Sequence, residues 1–506
     1  MRRPVFALLV VLTLTLLAAA PASANLAPAM ALADAVEWLR QQQRSDGGFP
    51  GFGDASDPSA TADAVSALAA VGIPVESVRS GGQNPLDFLR THVSDYGSTT
   101  GGAAKLALAA IASGADPRSF AGVDLIGRLQ AAFDEQSGLY DSSLFVHSYA
   151  LMAVAAANAG REQRVPQAAI AALLTRQSAD GSWAWNGSTE PGAGDSNTTA
   201  IVLQALIVAG LPSDHHAVRA GLAFLKTTQL VDGSFVYQPG EPPLAGDANS
   251  TALAVQAIIA TGGDPGNTEW SDALHALSRF RNPSGALRWR DDVPDDNLLA
   301  TLQAIPALAR RPLPVVPADP RRHAWVAETP GSRGRCLYAP ETRHNVCDAF
   351  LSFWESNGGL ANFGHPLTRP YVDPQLGQVV QYFERARFEL HRHADGTTYV
   401  LLGRLGAERA AGRDTVPAFK TATPIARSDC RFIRETGHNL CAGFRAYWEA
   451  FGGLAVFGYP ISEEHLEGGI VVQYFERARF EWHPRRWPER YDVLLGRLGA
   501  EIVEAW

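Results

Sequence analysis

The chain has 506 residues, too many for one ordinary domain, and 46% of them are apolar, enough for large cores. Lysine and arginine number 43 against 52 aspartates and glutamates, for a net charge of −9. The excess acid lies before Arg335, where 31 acidic residues face 23 basic ones, so no part of the chain has the basic footprint of a nucleic-acid binder.

Residues 1–24 have the form of an export signal. Arg2 and Arg3 precede a continuous apolar run from Val5 to Ala20, and Ala22-Ser23-Ala24 has the small-x-small pattern of a cleavage site. A retained membrane anchor is the alternative, but the run is short for a spanning helix. No later segment is long and apolar enough to span a bilayer. A secreted or envelope-associated protein is expected.

Residues 25–310 repeat. Gln43-x-x-x-Gly47-x-Phe49 returns as Gln177, Gly181, Trp183 and as Gln229, Gly233, Phe235. Six units follow from the anchors Gly47, Gly97, Gly138, Gly181, Gly233 and Gly285. Each anchor lies between an amphipathic segment and an Ala-rich run that is apolar around most of its circumference, as a buried inner helix requires. The inner runs open on Asp57-Pro-Ser-Ala-Thr-Ala, Asp195-Ser-Asn-Thr-Thr-Ala, Asp247-Ala-Asn-Ser-Thr-Ala and Asp295-Asp-Asn-Leu-Leu-Ala. Such residues accept hydrogen bonds from first-turn amides and favour the positive end of the helix dipole. They could also ring the mouth of a cavity, which makes Asp57, Asp195, Asn197, Asp247 and Asn249 candidate ligand contacts. The aromatics after the anchors staple helices or line a pocket. Trp183, Trp185, Tyr237 and Trp289 are carried as further ligand candidates.

Six helical hairpins closed in a ring make an all-α α6/α6 toroid. The three Gln-Gly-aromatic stretches resemble the QW repeats of squalene and oxidosqualene cyclases, and the segment resembles the prenyltransferase and squalene-oxidase repeat superfamily of terpenoid cyclase-like toroids. It is also similar to secreted toroids of the intrinsic-factor and transcobalamin type, which implies corrinoid capture as one possible activity. The resemblance covers about 285 residues and implies fold more than activity. Class II cyclases use an Asp-x-Asp-Asp acid, which this chain lacks; its nearest cluster, Asp291, Asp292, Asp295 and Asp296, has another spacing, and Pro294 places it in a turn. The zinc site of protein prenyltransferases needs a cysteine, and residues 25–310 contain none. His147 on an inner run reads as a satisfied core residue.

Four prolines between Arg310 and Arg322 mark a stiff linker, residues 311–334. Beyond it two units repeat nearly letter for letter, residues 335–415 and 428–506. Gln381-Tyr-Phe-Glu-Arg-Ala-Arg-Phe-Glu389 returns at Gln473–Glu481, and Leu401-Leu-Gly-Arg-Leu-Gly-Ala-Glu408 at Leu494–Glu501. Helical and strand signals predict a small α+β module in each copy. The modules resemble LGFP-type repeats of exported bacterial proteins. All four cysteines lie here, Cys336 and Cys347 matching Cys430 and Cys441 in spacing, which predicts one disulfide per module. The alternative is zinc held with His344, His438, His391 and His483; no metal and no cofactor is expected. Arg385, Arg387, Arg477 and Arg479 alternate with glutamates as cross-strand ion pairs on a solvated face, or as a grip on anionic polymer groups.

The preferred reading is a secreted, non-catalytic binding or scaffold protein, its toroid holding an unknown small molecule and its duplicated modules attaching to an extracellular polymer. A cyclase, prenyltransferase-like or glycan-active enzyme is the alternative, and the corrinoid binder a third. Neither a nucleic-acid partner nor a membrane span after signal cleavage is expected.

Overall fold

A computed structural model of the chain describes residues 26–51, 53–161, 165–240, 244–317, 321, 324–325, 327–328 and 335–506. The expected signal peptide, residues 1–24, lies outside them. The helical part is an α/α toroid. Its outer helices are α1 (Ala27–Gln41), α3 (Pro85–His92), α5 (Leu125–Ala132), α7 (Gln167–Leu174), α9 (His216–Thr227) and α11 (Ala273–Ser278). Its inner helices are α2 (Pro58–Ala70), α4 (Thr100–Ser113), α6 (Leu144–Ala157), α8 (Ser196–Val208), α10 (Ala248–Ala260) and α12 (Leu298–Leu308). Each inner helix packs on the next, and α12 returns to α2, so the ring is closed. Most alanines on the inner helices are buried, which lets the helices crowd.

The repeated letters are the staples of this ring. Gln43, Gln177 and Gln229 donate through Nε2 to the carbonyls of Gly47, Gly181 and Gly233 at 3.0, 2.9 and 3.1 Å. The same amides reach the next unit, at Val78, Ala217 and Trp270. The fourth residue of the inner helix then accepts the amide after the turn: Phe49 N–H bonds Thr61 Oγ1, Trp183 bonds Thr199, Phe235 bonds Thr251 and Leu287 bonds Thr301, at 2.9 to 3.0 Å. In the third unit His147 holds that position, and its Nδ1 accepts from Tyr140 N–H at 3.1 Å.

Five anchor glycines are left-handed, and there the chain comes too close to its neighbour for a side chain. A Cβ on Gly47, Gly138, Gly181 or Gly233 would lie 2.3 to 2.6 Å from a carbonyl at the next outer helix. On Gly285 (φ +101°) it would lie 2.6 Å from Asp34 O of α1, which is how the sixth unit meets the first. Gly97 departs from the expected pattern. It sits in a 3₁₀ turn, Tyr96–Ser98, without positive φ, because a short connection joins α3 to α4 and no Gln-Gly turn forms.

After α12 the chain turns back over the C-terminal side of the ring. Leu313 N–H donates to Gln204 Oε1 of α8 at 3.1 Å, and Val315 is buried.

The C-terminal part holds small antiparallel sheets with short helices. In the first copy a hairpin, β5 (Cys336–Ala339) and β6 (His344–Cys347), leads to a helix, Asp348–Ser356, and to a sheet in which β7 (Tyr371–Val372), β8 (Val379–Tyr382), β9 (Arg387–Arg392) and β10 (Thr398–Leu402) lie in sequence order. The second copy repeats this with β11 (Cys430–Ile433), β12 (His438–Cys441) and a sheet of β13 (His465–Glu467), β14 (Ile470–Tyr474), β15 (Arg479–Trp482) and β16 (Val493–Leu495). Cys336–Cys347 and Cys430–Cys441 are directly opposed across their hairpins and form disulfides, so the cysteines are not metal ligands.

The arginine pairs are not on a solvated face. The Arg387 side chain is only 6% exposed and binds Glu389 and Glu408 at 2.7 and 2.8 Å; Arg479 does the same with Glu481 and Glu501 at 2.6 and 2.7 Å. Each pins the module's last helix to its sheet. Arg385 and Arg477 cross between modules, donating to Leu495 O and Leu402 O at 3.2 and 3.3 Å. Arg404 bonds Glu476, and Arg497 bonds Glu384, at 2.9 and 3.2 Å. Ala407 N–H donates to Glu476 O, and Ala500 N–H to Glu384 O. Each of these contacts has its mirror, so the two copies meet about a pseudo-two-fold axis. The first module rests on the toroid through Arg392 and Asp34, 3.0 Å apart.

Candidate functional site

The lumen opens at the N-terminal ends of the inner helices. Residues four apart on a helix share a face, so the second and sixth residues of each inner helix form two layers facing the axis. The upper layer is Ser59, Gly101, Phe145, Asn197, Asn249 and Leu299, all at least partly exposed. The lower is Asp63, Lys105, Tyr149, Ile201, Leu253 and Gln303. Four residues of rise separate the layers by about 6 Å. At the ninth position Ser66, Leu108, Met152, Gln204, Gln256 and Pro306 are all buried and close the floor. The lumen is therefore a shallow cup.

One wall of the cup carries a polar cluster. Lys105 Nζ lies 2.7 Å from Asp63 Oδ2 and 2.9 Å from Ser59 Oγ, and stands 5.8 Å from the Tyr149 ring centre. About a fifth of the Lys105 side chain and a quarter of Asp63 are exposed, at 22% and 25%, because they face the lumen from deep inside the ring. Burial alone would draw the ammonium down, but Asp63, Tyr149 and Tyr96 hold it above the usual lysine range. Burial pushes the Tyr149 hydroxyl up to about 12, and the Tyr96 hydroxyl, bonded to Ser59, is raised as well. Lys105 therefore keeps its proton at neutral pH and is engaged by Asp63. Across the cup Asn249 Nδ2 donates to Gln303 Oε1 at 2.8 Å. Gln256 donates to Gln303 O at 3.0 Å, and its Oε1 is buried without a partner.

The acids singled out from sequence cap helices. Asp57, Asp195 and Asp247 accept from Ala60, Thr198 and Ser250 N–H at 2.7, 2.7 and 2.8 Å. Burial raises Asp195 and Asp247, opposed by these bonds and by the Tyr237 hydroxyl and the Trp289 indole. In the sixth unit the cap is Asn297, accepting from Ala300 at 2.9 Å, rather than Asp295. Asp291, Asp292, Asp295 and Asp296 lie on an exposed hairpin, β3 (Arg288–Arg290) and β4 (Val293–Asp296). Pro294 is inside β4, not in the turn; a two-stranded edge has no use for its missing N–H. Asp291 and Asp292 pair with Arg288 and Arg290 at 2.7 and 2.6 Å.

The aromatics divide. Trp183 is wholly buried, its Nε1 donating to Leu173 O at 2.7 Å, so it is wall and not ligand surface. Trp185, Tyr237 and Trp289 each stand four residues after an anchor glycine and are 58%, 43% and 38% exposed. Each leans over the preceding inner helix: Leu144 N–H donates to Trp185 O, Ser196 N–H to Tyr237 O, and Trp289 bonds Asp247. They form one arc of the rim. His147 is spent on structure. Its Nδ1 accepts from Tyr140, its Nε2 bonds Ala169 O at 3.1 Å, and burial lowers it to about 4.

Sequence reasoning missed Asp63, Lys105 and Tyr149. The available signal was a lone charge on each of two alanine-rich inner helices, one of them among the chain's three lysines.

No protein-family model matches the chain. Over 136 residues, 25% of this chain and 19% of the other, it is 30% identical to the squalene–hopene cyclase of Zymomonas mobilis subsp. mobilis, so it spans about a fifth of that enzyme's length. Among solved structures it resembles the type II terpene cyclase MstE from Scytonema, at 14% identity and a TM-score of 0.40 over 56% of this chain and 97% of that one. It also resembles an unsaturated glucuronyl hydrolase specific for heparin, at 12% identity and a TM-score of 0.44 over 56% and 95%. These are likenesses of fold, and scores under one half leave the fold to rest on the hairpins themselves. By its closed ring of six helical hairpins the helical part of the chain is an α/α toroid, and its Gln-Gly staples resemble the QW repeats of squalene cyclases.

Proposed function

We propose that the chain is an exported binding or scaffold protein: an α6/α6 toroid presents the cup to a ligand, and two interlocked α+β modules attach it to envelope or extracellular polymer. The observation that carries the reading is the Lys105–Asp63 pair at 2.7 Å. A catalytic acid or base must exchange protons with its substrate. The carboxylate that faces the cup is instead paired with Lys105, whose own proton is tightly kept. The buried carboxylates of Asp195 and Asp247 are engaged with first-turn amides. Two disulfides and the lack of a membrane-length apolar helix among the described residues are consistent with an extracytoplasmic protein.

Native mass spectrometry of the chain recovered from culture fluid or envelope tests this. A retained or added small molecule should appear as an adduct and leave unchanged in mass. Turnover of a polyprenyl or glycan substrate, abolished by Asp63→Asn or Asp195→Asn, would overturn it.

A further inference from the structure

The rim and the cup together select a ligand class. Trp185, Tyr237 and Trp289 occur in three successive units, so they make an arc rather than a full ring. Neighbouring helices are about 8–10 Å apart, which spreads three aromatic platforms over roughly 20 Å. That span exceeds one compact molecule and suits an extended chain of rings. Tyr237 and Trp289 are tethered at their polar ends to Asp195 and Asp247, which fixes each ring while leaving it exposed. Arg290 lies 4.5 Å from the centre of the Trp289 ring and occupies one face, leaving the other for a ligand.

Inside the arc the cup holds amides, hydroxyls and the Lys105–Asp63 pair, interspersed with Phe145, Leu299, Ile201 and Leu253. Asn249 and Gln303 bond each other, and Asn197 and Ser59 share the layer of Asn249. Beneath them the carbonyl oxygen of Gln256 is buried and unpartnered. An anion finds no uncommitted cation here, because Lys105 is engaged by Asp63 and the hairpin beside Trp289 is acidic. An isoprenoid would leave these polar groups desolvated and unpaired, which is costly.

We propose that the cup and its aromatic arc bind a neutral glycan chain, with sugar faces on Trp185, Tyr237 and Trp289 and hydroxyls bonded by Asn197, Asn249 and Gln303. The inference rests on the binding reading above and names its ligand. Aromatic faces receive the apolar faces of pyranose rings, and amide and hydroxyl groups satisfy the ring edges.

The test uses the full exported chain, followed by tryptophan fluorescence and calorimetry. Neutral hexamers of glucose in β-1,4 and α-1,4 linkage and of N-acetylglucosamine are the probes. A galacturonate hexamer and a detergent-solubilised polyprenol are the controls. At least one neutral hexamer should bind, its trimer at least tenfold more weakly. Trp185→Ala should weaken the hexamer tenfold or more with an unchanged thermal midpoint, and Tyr237→Ala should weaken it at least as much. Binding only of galacturonate or polyprenol, no binding of any neutral hexamer, or indifference to both substitutions would overturn the assignment. Cleavage of a bound hexamer would instead overturn the non-catalytic reading while leaving the ligand class intact.

Discussion

Both halves of this chain are built from repeats, and the copies meet in opposite ways. In the toroid each unit touches the next around a ring of six, so only the staples must recur. Gln, Gly and Thr return from unit to unit, whereas one lumen level holds Asp63, Lys105, Tyr149, Ile201, Leu253 and Gln303, six different residues. In the C-terminal pair the copies face each other about a pseudo-two-fold axis, so the same surface is used twice and both copies need the same letters. Within Gln381–Glu389 and Leu401–Glu408, Glu384, Arg385, Leu402, Arg404 and Ala407 meet the other copy, while Arg387, Glu389 and Glu408 hold their own module together. Identity between repeats marks where copies meet, and divergence marks the lumen.

Ring closure gives the largest expected effect. Gly285→Val combines a left-handed backbone with a clash against Asp34 O, and should lower toroid stability by about 4 kcal/mol in urea titrations. A loss under about 1 kcal/mol would mean that the sixth unit does not seat on the first. Arg387→Ala leaves Glu389 partly buried beside an empty site and should cost the module pair about 3 kcal/mol, with Arg479→Ala close behind. If the arginines served a ligand and not the fold, neither change would move the urea midpoint.

His147 adds a pH signature to the toroid. Its folded pKa, about 4, lies below the unfolded 6.5, so its contribution is whole above pH 6.5. As pH falls from 6.5 to 4 the unfolded chain takes up the proton first, and about 3 kcal/mol is lost. His147→Thr restores the residue of four other units and should flatten that slope between pH 6.5 and 4. Smallest are the reciprocal surface pairs. Arg404→Ala and Arg497→Ala should each cost about 0.5 kcal/mol, and by equal amounts. A clearly unequal pair of losses would break the pseudo-symmetry.

The ring was legible in the sequence because its staples are local: Gln and Gly four residues apart, and a cap three residues before the amide it serves. Gly97 misled because a lone glycine does not reveal whether its turn is left-handed. The cup was not legible. Asp63 and Lys105 are 42 residues apart, and only the ring geometry brings the sixth residues of successive helices to one level. The arginines looked solvated because alternation along a strand does not say that the module's last helix covers one face. Trp183 and Trp185 share a residue type two positions apart, yet one is wall and the other rim, a difference set by which side of the turn packs inward.

We propose that the ligand is held unaltered at the lumen end bounded by Trp289 and Lys105. A crystal structure of the exported chain with a bound ligand should show an intact molecule in the cup, in contact with the aromatic arc and with Lys105 still paired to Asp63. A ligand seated instead between α1 and the first module, or a transformed product in the cup, would contradict it.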